Sequence, residues 1–207
     1  KDLERRLRPK PVPTDWSPTA LWDLASVNCW KGGPATFFAD RLEALLGGVP
    51  VRELGVNASE GTFAVPISQD WPGSVLWVGG HLLEFVDSNE QVRWAWELEV
   101  GETYRIVVST SAGLWRYDMQ DLVEVVGFVD ETPMIRFVGK AGRYLNALGE
   151  RVTGAQVSHA LKAIEGELIG FTVSIETGDI PSYVIGFEGN IAGEKVASVL
   201  DAGLLHK

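Results

Sequence analysis

SVLWVGGHLLEFVDSNEQVRWAWELEVGETYRIVVST (74–110) is the stretch that decides the fold. Apolar runs rich in β-branched and aromatic residues alternate along it with clusters of Gly, Asp, Ser and Asn, the pattern of short strands joined by tight turns. Asp87-Ser88-Asn89-Glu90 makes a good hairpin connector, because Asp and Asn side chains hydrogen-bond back to their own backbone. The texture continues on both sides. TFAVPI (62–67) precedes the stretch; LVEVVGFV (122–129) and MIRFVG (134–139) follow it, separated by Asp130-Glu131-Thr132-Pro133. Runs this short predict an antiparallel barrel or sandwich between Gly61 and Gly139, with VRWAWELEV (92–100) as one of its strands. Trp77, Trp94, Trp96 and Trp115 fall within these strands and are expected to pack in the core and on the sheet faces.

The flanks read differently. The opening through Pro18 suggests a frayed helix end and an irregular connector. LASVNCW (24–30) then runs into Gly32-Gly33-Pro34, and Pro34 pre-sets a first helical turn. Ala35, Phe38, Leu42, Leu45 and Leu46 recur at helical spacing, Gly47-Gly48 stop the helix, and VPVRELGV (49–56) reads as the next strand. Strand, helix, strand predicts parallel strands with a right-handed crossover. Toward the C-terminus, Thr153-Gly154-Ala155-Gln156 is a capping box. Val157, Leu161 and Ile164 follow on one helical stripe. GFTVSIET (170–177) and SYVIGFEG (182–189) read as paired strands, and Ile191 to Leu205 as a last helix with Val196, Val199 and Leu200 inward. The expected fold class is mixed α/β: a strand–helix–strand piece plus an antiparallel β-barrel-like subdomain, followed by a small α/β C-terminal domain. The expected division is 1–140 and 141–207.

Composition narrows the function. A net charge of -10 argues against a nucleic-acid binder, which would normally carry a basic stripe; Arg5, Arg6, Arg8 and Lys10 read as a solvated helix end. No apolar run approaches the roughly 20 residues of a membrane span. Cys29 is the single cysteine, so an internal disulfide and a cysteine metal cluster are excluded, and a reducing cytoplasm is expected. Cys29 itself reads as a buried small hydrophobe. His81, His159 and His206 lack metal-ligand spacing. The first residue is Lys1, and the chain is expected to begin inside a longer gene product.

Three segments carry candidate chemistry. In VNASEG (56–61), the Ser59 hydroxyl can donate to a phosphoryl oxygen and the Glu60 carboxylate can hold a hard cation such as Mg2+; the same pair also reads as a turn or helix cap. In SAGLWRYDMQDLVEV (111–125), Asp121 is expected at the entrance of an apolar strand. There it can accept hydrogen bonds from the vicinal hydroxyls of a ribose, or simply cap an edge. GKAGRYLNALGERV (139–152) combines Gly139, Gly142 and Gly149 with cations at Lys140, Arg143 and Arg151. It reads as a hinge or as a plain interdomain loop.

In their order, these segments resemble the acyl-adenylate-forming superfamily of acyl-CoA synthetases and firefly luciferase, with its Tyr-Gly-x-Thr-Glu, Tyr-Arg-x-Gly-Asp and Gly-Arg-x-Asp hinge motifs. The closer resemblance is to the auxin-responsive Gretchen Hagen family of acyl acid–amido synthetases. Its segments "CW.dG", "aSEg" and "GLYRYRVGDVVKVTGF" stand here as NCWKGG (28–33), NASEG (57–61) and GLWRYDMQDLVEVVGF (113–128). Departures are Val56 at the position of the adenine-packing aromatic, Gln120 for the glycine before Asp121, Lys140 for arginine, Gly142 for the hinge acid, and Asn146 for a hinge-region lysine.

The resemblance implies part of an ATP-dependent ligase that adenylates a small carboxylic acid and joins it to an amino acid. ATP/AMP and Mg2+ would be the nucleotide and metal. Glu60 is implied at the metal, Ser59 at the phosphate and Asp121 at the ribose; Gly32 and Gly33 at the adenine edge, and Lys140 at ribose or phosphate. The family's phosphate loop lies upstream of Asn57 and its catalytic lysine cannot be placed, so a fragment inactive by itself is expected. Two alternatives stay open: an acyl-CoA or aryl-CoA ligase of the same superfamily, and a non-catalytic β-rich module binding a small acid.

Overall fold

The computed structural model describes residues 17–142, 144–145, 152–176 and 182–204. The basic cluster Arg5, Arg6, Arg8 and Lys10, the expected hinge positions Arg143, Asn146, Gly149 and Arg151, and Thr177, Leu205 and His206 lie outside these residues.

Where an irregular connector was expected, Pro18 opens a one-turn helix, α1 (Pro18–Leu21). Strands β1 (Val27–Cys29) and β2 (Val51–Glu53) pair in parallel, Val27 opposite Val51, as the strand–helix–strand reading requires. Between them a 3-10 turn containing Pro34 leads into α2 (Thr36–Leu45), which ends where Gly47 and Gly48 take φ of 64° and 88°. The buried stripe of α2 differs from the expected one. Phe37, Ala39 and Leu46 are buried, whereas Phe38 and Leu45 are 48% and 74% exposed. The reason lies outside the segment: Phe37 packs edge-on against Phe171 of the C-terminal unit, ring centroids 5.3 Å apart.

Eight strands then form one antiparallel sheet. They are β3 (Val56–Ala58), β4 (Gly61–Val65), β5 (Ser74–Leu76), β6 (Leu82–Val86), β7 (Val92–Arg93), β8 (Thr103–Ser109), β9 (Tyr117–Val129) and β10 (Thr132–Lys140). Their order is β3-β4-β5-β10-β9-β8-β6-β7. Phe63, Phe85, Ile106, Val108, Val123, Val125 and Ile135, drawn from five of these strands, are fully buried in one cluster. At about 1.5–3 kcal/mol for each side chain withdrawn from water, this cluster dominates the stability of the sheet. A single core shared by β3–β6 and β8–β10 means that the sheet curls over itself, returning β3 against β10. The barrel-like expectation holds.

Two expectations within the sheet are corrected. VRWAWELEV is not one strand: after β7 the chain makes a 3-10 turn at Ala95–Glu97, because the Glu97 carboxylate reaches back to accept the Trp94 N–H at 2.8 Å. The tryptophans do not build the core either. Trp77, Trp96 and Trp115 are 53%, 76% and 83% exposed, Trp77 and Trp115 because they lie in connections rather than strands. Trp94 and Trp96 stack on each other, centroids 5.7 Å apart.

The C-terminal unit contains a short ladder of β11 (Tyr144–Leu145) and β12 (Val152–Thr153), then α3 (Gly154–Leu161), the hairpin β13 (Leu168–Glu176) and β14 (Ser182–Gly189), and α4 (Gly193–Leu204). Thr153 caps α3 reciprocally with Gln156: the Gln156 N–H donates to Thr153 Oγ1 at 3.2 Å and Gln156 Oε1 accepts the Thr153 N–H at 2.8 Å. Such a box satisfies two amides that the helix leaves unpaired. Val157, Leu161, Val196 and Leu200 form this unit's core, and that core reaches back to Phe37. The Ser158 hydroxyl donates to the Pro34 carbonyl at 3.4 Å, a further tie between the two units. No helix among the described residues is long and apolar enough to cross a membrane.

Candidate functional site

The β9–β10 hairpin places Asp121 directly opposite Lys140. The lysine Nζ lies 2.7 Å from Asp121 Oδ1 and donates to the Met119 carbonyl at 3.1 Å. Asp121 is only 6% exposed. It does not stand at a strand entrance, as the sequence suggested, because β9 begins at Tyr117 and continues through an irregularity at Gln120. Gln120 has φ +60°, and the register with β8 slips here, Asp118 to Leu122 standing against only Val107 to Arg105. These are the marks of a β-bulge, a device that re-aims one side chain. Alternation along β9 then puts Asp121 on the same face as Val123 and Val125, at one end of the core.

The loop Gly32-Gly33 lies flat on the same strand. A Cβ at Gly32 would meet the Phe137 carbonyl oxygen at 2.8 Å, so only glycine allows this approach. Phe137 is three residues from Lys140, on the order of 10 Å along the strand. A cavity of about 440 Å³ opens here, lined by Pro34, Leu122, Phe137, Lys140 and Gly154. A second, about 210 Å³, lies between Gly32, Val56 and Phe137, with Trp30 and Trp71 also on its wall. Val56 is buried and offers no ring face. Trp30 and Trp71 are the tryptophans on the wall of that second cavity. Sequence reasoning missed Trp71 because its loop folds back onto β10 from a distance.

Ser59 and Glu60 form the turn between β3 and β4, the bland alternative left open by the sequence. Neither lines the two cavities above, and neither makes a side-chain hydrogen bond or ion pair among the described residues. Against this turn sits His81: a Cβ at Gly61 would lie 2.3 Å from its Nε2, and its Nδ1 is buried without a hydrogen-bond partner. The structure therefore brings Gly32 and Gly33 to Phe137 and joins Asp121 to Lys140, and leaves Ser59 and Glu60 at a hairpin tip.

Two further features went unread. Glu84 is buried and accepts from Arg116 Nε at 3.0 Å. This hydrogen bond, with the carboxylate's charge, raises the Arg116 pKa. A charged residue in the middle of an apolar strand was the available signal. Cys29 is half-buried rather than buried, and desolvation, then the nearby Glu53 charge, pushes its thiol pKa up. No group of three or more His, Cys, Asp or Glu able to hold a metal occurs among the described residues.

With this geometry established, likeness to known proteins becomes informative. Residues 74–140 match the GH3 family central domain. A jasmonoyl–L-amino acid synthetase, GH3.5, of Oryza sativa subsp. japonica is 32% identical over 116 residues, covering 51% of this chain and 20% of the relative. A probable indole-3-acetic acid-amido synthetase, GH3.12, from the same organism is 27% identical over 227 aligned residues, covering 87% of this chain and 37% of the relative. The chain thus spans between a fifth and somewhat over a third of the length of these relatives. Among solved structures, the AtGH3.15 acyl acid amido synthetase in complex with 2,4-DB superposes with a TM-score of 0.74 at 19% identity, over 86% of this chain and 36% of that one. That likeness establishes the shared fold. The resemblance read from GLWRY and its neighbours is thus borne out as a likeness: over residues 74–140 this chain is similar to the GH3 family central domain.

Proposed function

We propose that the complete protein is an ATP-dependent acyl acid–amido synthetase, which adenylates a small carboxylic acid and transfers the acyl group to an amino acid. The observation that carries this reading is the central-domain match over the strands that hold Asp121 and Lys140. In the first step the acid's carboxylate attacks the α-phosphorus of ATP and pyrophosphate leaves. In the second, the amine attacks the acyl carbon, AMP leaves and an amide forms. Both steps develop charge on phosphate or acyl oxygens, so fixed donors matter more than acid–base groups.

In this reading Asp121 accepts from the ribose hydroxyls, and Lys140 turns from Asp121 toward ribose or phosphate when nucleotide arrives. Gly32 and Gly33 offer backbone to the adenine edge, with Trp30 or Trp71 as its stacking surface. Ser59 donates to the phosphate. Mg2+ fits the residues present in a limited way. A single carboxylate, Glu60, suffices where the remaining ligands are phosphate oxygens and water, and no fuller cluster occurs among the described residues. When bound, the metal would neutralise phosphate charge. Residues 1–140 would belong to the large domain and 141–207 to the small C-terminal one, with a hinge at 139–143. The lone cysteine suits a cytoplasmic setting.

ATP–pyrophosphate exchange by the complete protein, measured across a panel of small carboxylic acids, tests the first step. Acid-dependent exchange is expected; none with any acid would remove the ligase reading. Offering amino acids or coenzyme A to the preformed adenylate tests the second step. Amide product is expected, and thioester formation alone would assign the protein to the acyl-CoA ligases.

A further inference from the structure

Two departures from the Tyr-Arg-x-Gly-Asp pattern occur together in this chain. Tyr117-Asp118-Met119-Gln120-Asp121 has an acid where the pattern has arginine and a glutamine where it has glycine. The structure links them. Gln120 holds φ +60°, a backbone state that disfavours any residue with a Cβ. Its N–H donates to Asp118 Oδ1 at 3.0 Å, and its carbonyl accepts the Ala141 N–H at 2.7 Å. The other Asp118 oxygen, Oδ2, accepts from Arg105 of the neighbouring strand, whose second guanidinium nitrogen pairs with Glu90. A charged acceptor fixed by arginine thus caps the one amide whose geometry depends on the left-handed residue. Next in the chain stands Asp121.

We infer that Asp118 and Arg105 are positioning residues: they hold Gln120 in the left-handed bulge where the pattern uses glycine, and so aim Asp121. The inference rests on the reading of Asp121 as a ribose ligand. It explains why the two departures coincide. Glycine reaches this conformation without a clamp; glutamine needs one, and the arginine position of the pattern is the place on the strand from which a carboxylate reaches the Gln120 amide. The cation stays in the neighbourhood, supplied by β8 instead of β9.

Calorimetric titration of the complete protein with AMP, paired with thermal unfolding, tests this. Asp118→Ala should raise the AMP dissociation constant about tenfold and lower the unfolding temperature. Adding Gln120→Gly to that variant should restore both, the affinity to within about twofold, because glycine no longer needs the clamp. Asp118→Asn, which keeps an acceptor for the amide, should fall between, and Arg105→Met should weaken binding less than Asp118→Ala. An Asp118→Ala variant that matches the parent in both readouts, or a double variant no better than Asp118→Ala, overturns the inference. If instead Asp121→Ala binds AMP like the parent, the ribose reading has failed. The clamp then stands or falls on whether Gln120→Gly recovers the unfolding temperature.

Discussion

Asp121 and Glu60, the carboxylates proposed for the ribose and for the metal, sit in opposite physical circumstances. Asp121 is buried, ion-paired to Lys140 and fixed beside a pinned bulge at the open end of the β9–β10 hairpin. Glu60 rides on the turn between two short strands and has no partner among the described residues. A buried carboxylate persists only where a cation or donors offset its lost hydration. An acid at a turn is under no such demand. Asp121 is therefore held in place by the fold itself, whereas nothing among the described residues holds Glu60.

The largest effect that distinguishes them should come from the cation that Asp121 has and Glu60 lacks among the described residues. Lys140→Ala leaves Asp121 buried without its counter-charge and is expected to destabilise the fold by about 2–3 kcal/mol. Glu60→Gln should change stability by no more than about 0.5 kcal/mol. Urea unfolding of both variants checks this, and equal effects would break the contrast. Next, Gly32→Ala drives a Cβ into the Phe137 carbonyl. The loop must lift from β10, at about 1–2 kcal/mol, with a parallel loss of nucleotide affinity; Gly79→Ala, which has open space around it, is the control for steric crowding.

The smallest effect concerns a third acid, Asp87, which like Glu60 belongs to a turn but is held there. The hydrogen bond from the Gln91 backbone, helped by those from Arg93 and the Asn89 backbone, lowers its pKa against an opposing desolvation. A folded pKa below the ordinary aspartate value gives a contribution that is full above that value and fades as pH falls through the lowered one. Asp87→Asn should thus flatten the acid limb of the stability–pH curve, measured by urea unfolding at a series of pH values.

What the sequence revealed tracks how local the determinants are. Hairpins were legible because Asp87, Asn89 and Asp130 carry their turn chemistry with them, and α3 because Thr153 and Gln156 cap it reciprocally. Parallel pairing of β1 and β2 followed from the helix between them. The buried face of α2 was not legible, since Phe37 is turned inward by Phe171, more than a hundred residues away. Nor was the exposure of the tryptophans, because Val, Ile and Phe already fill the inner face of the curled sheet. Within the site, residue types were legible and their relations were not. The pairing of Asp121 with Lys140 depends on strand register, and the bulge on a conformation that glutamine seldom takes. Glycine at 120 would have announced it.

The most direct measurement of the central claim, that β9 and β10 present Asp121 to a ribose, is the AMP dissociation constant of the complete protein and its Asp121→Ala and Ser59→Ala variants. Loss of charge-assisted hydrogen bonds to the sugar predicts weakening of about a hundredfold or more for Asp121→Ala. Ser59→Ala, which removes one donor to phosphate, should cost about tenfold or less. An Asp121→Ala protein that stays folded and binds AMP as tightly as the parent would contradict the account.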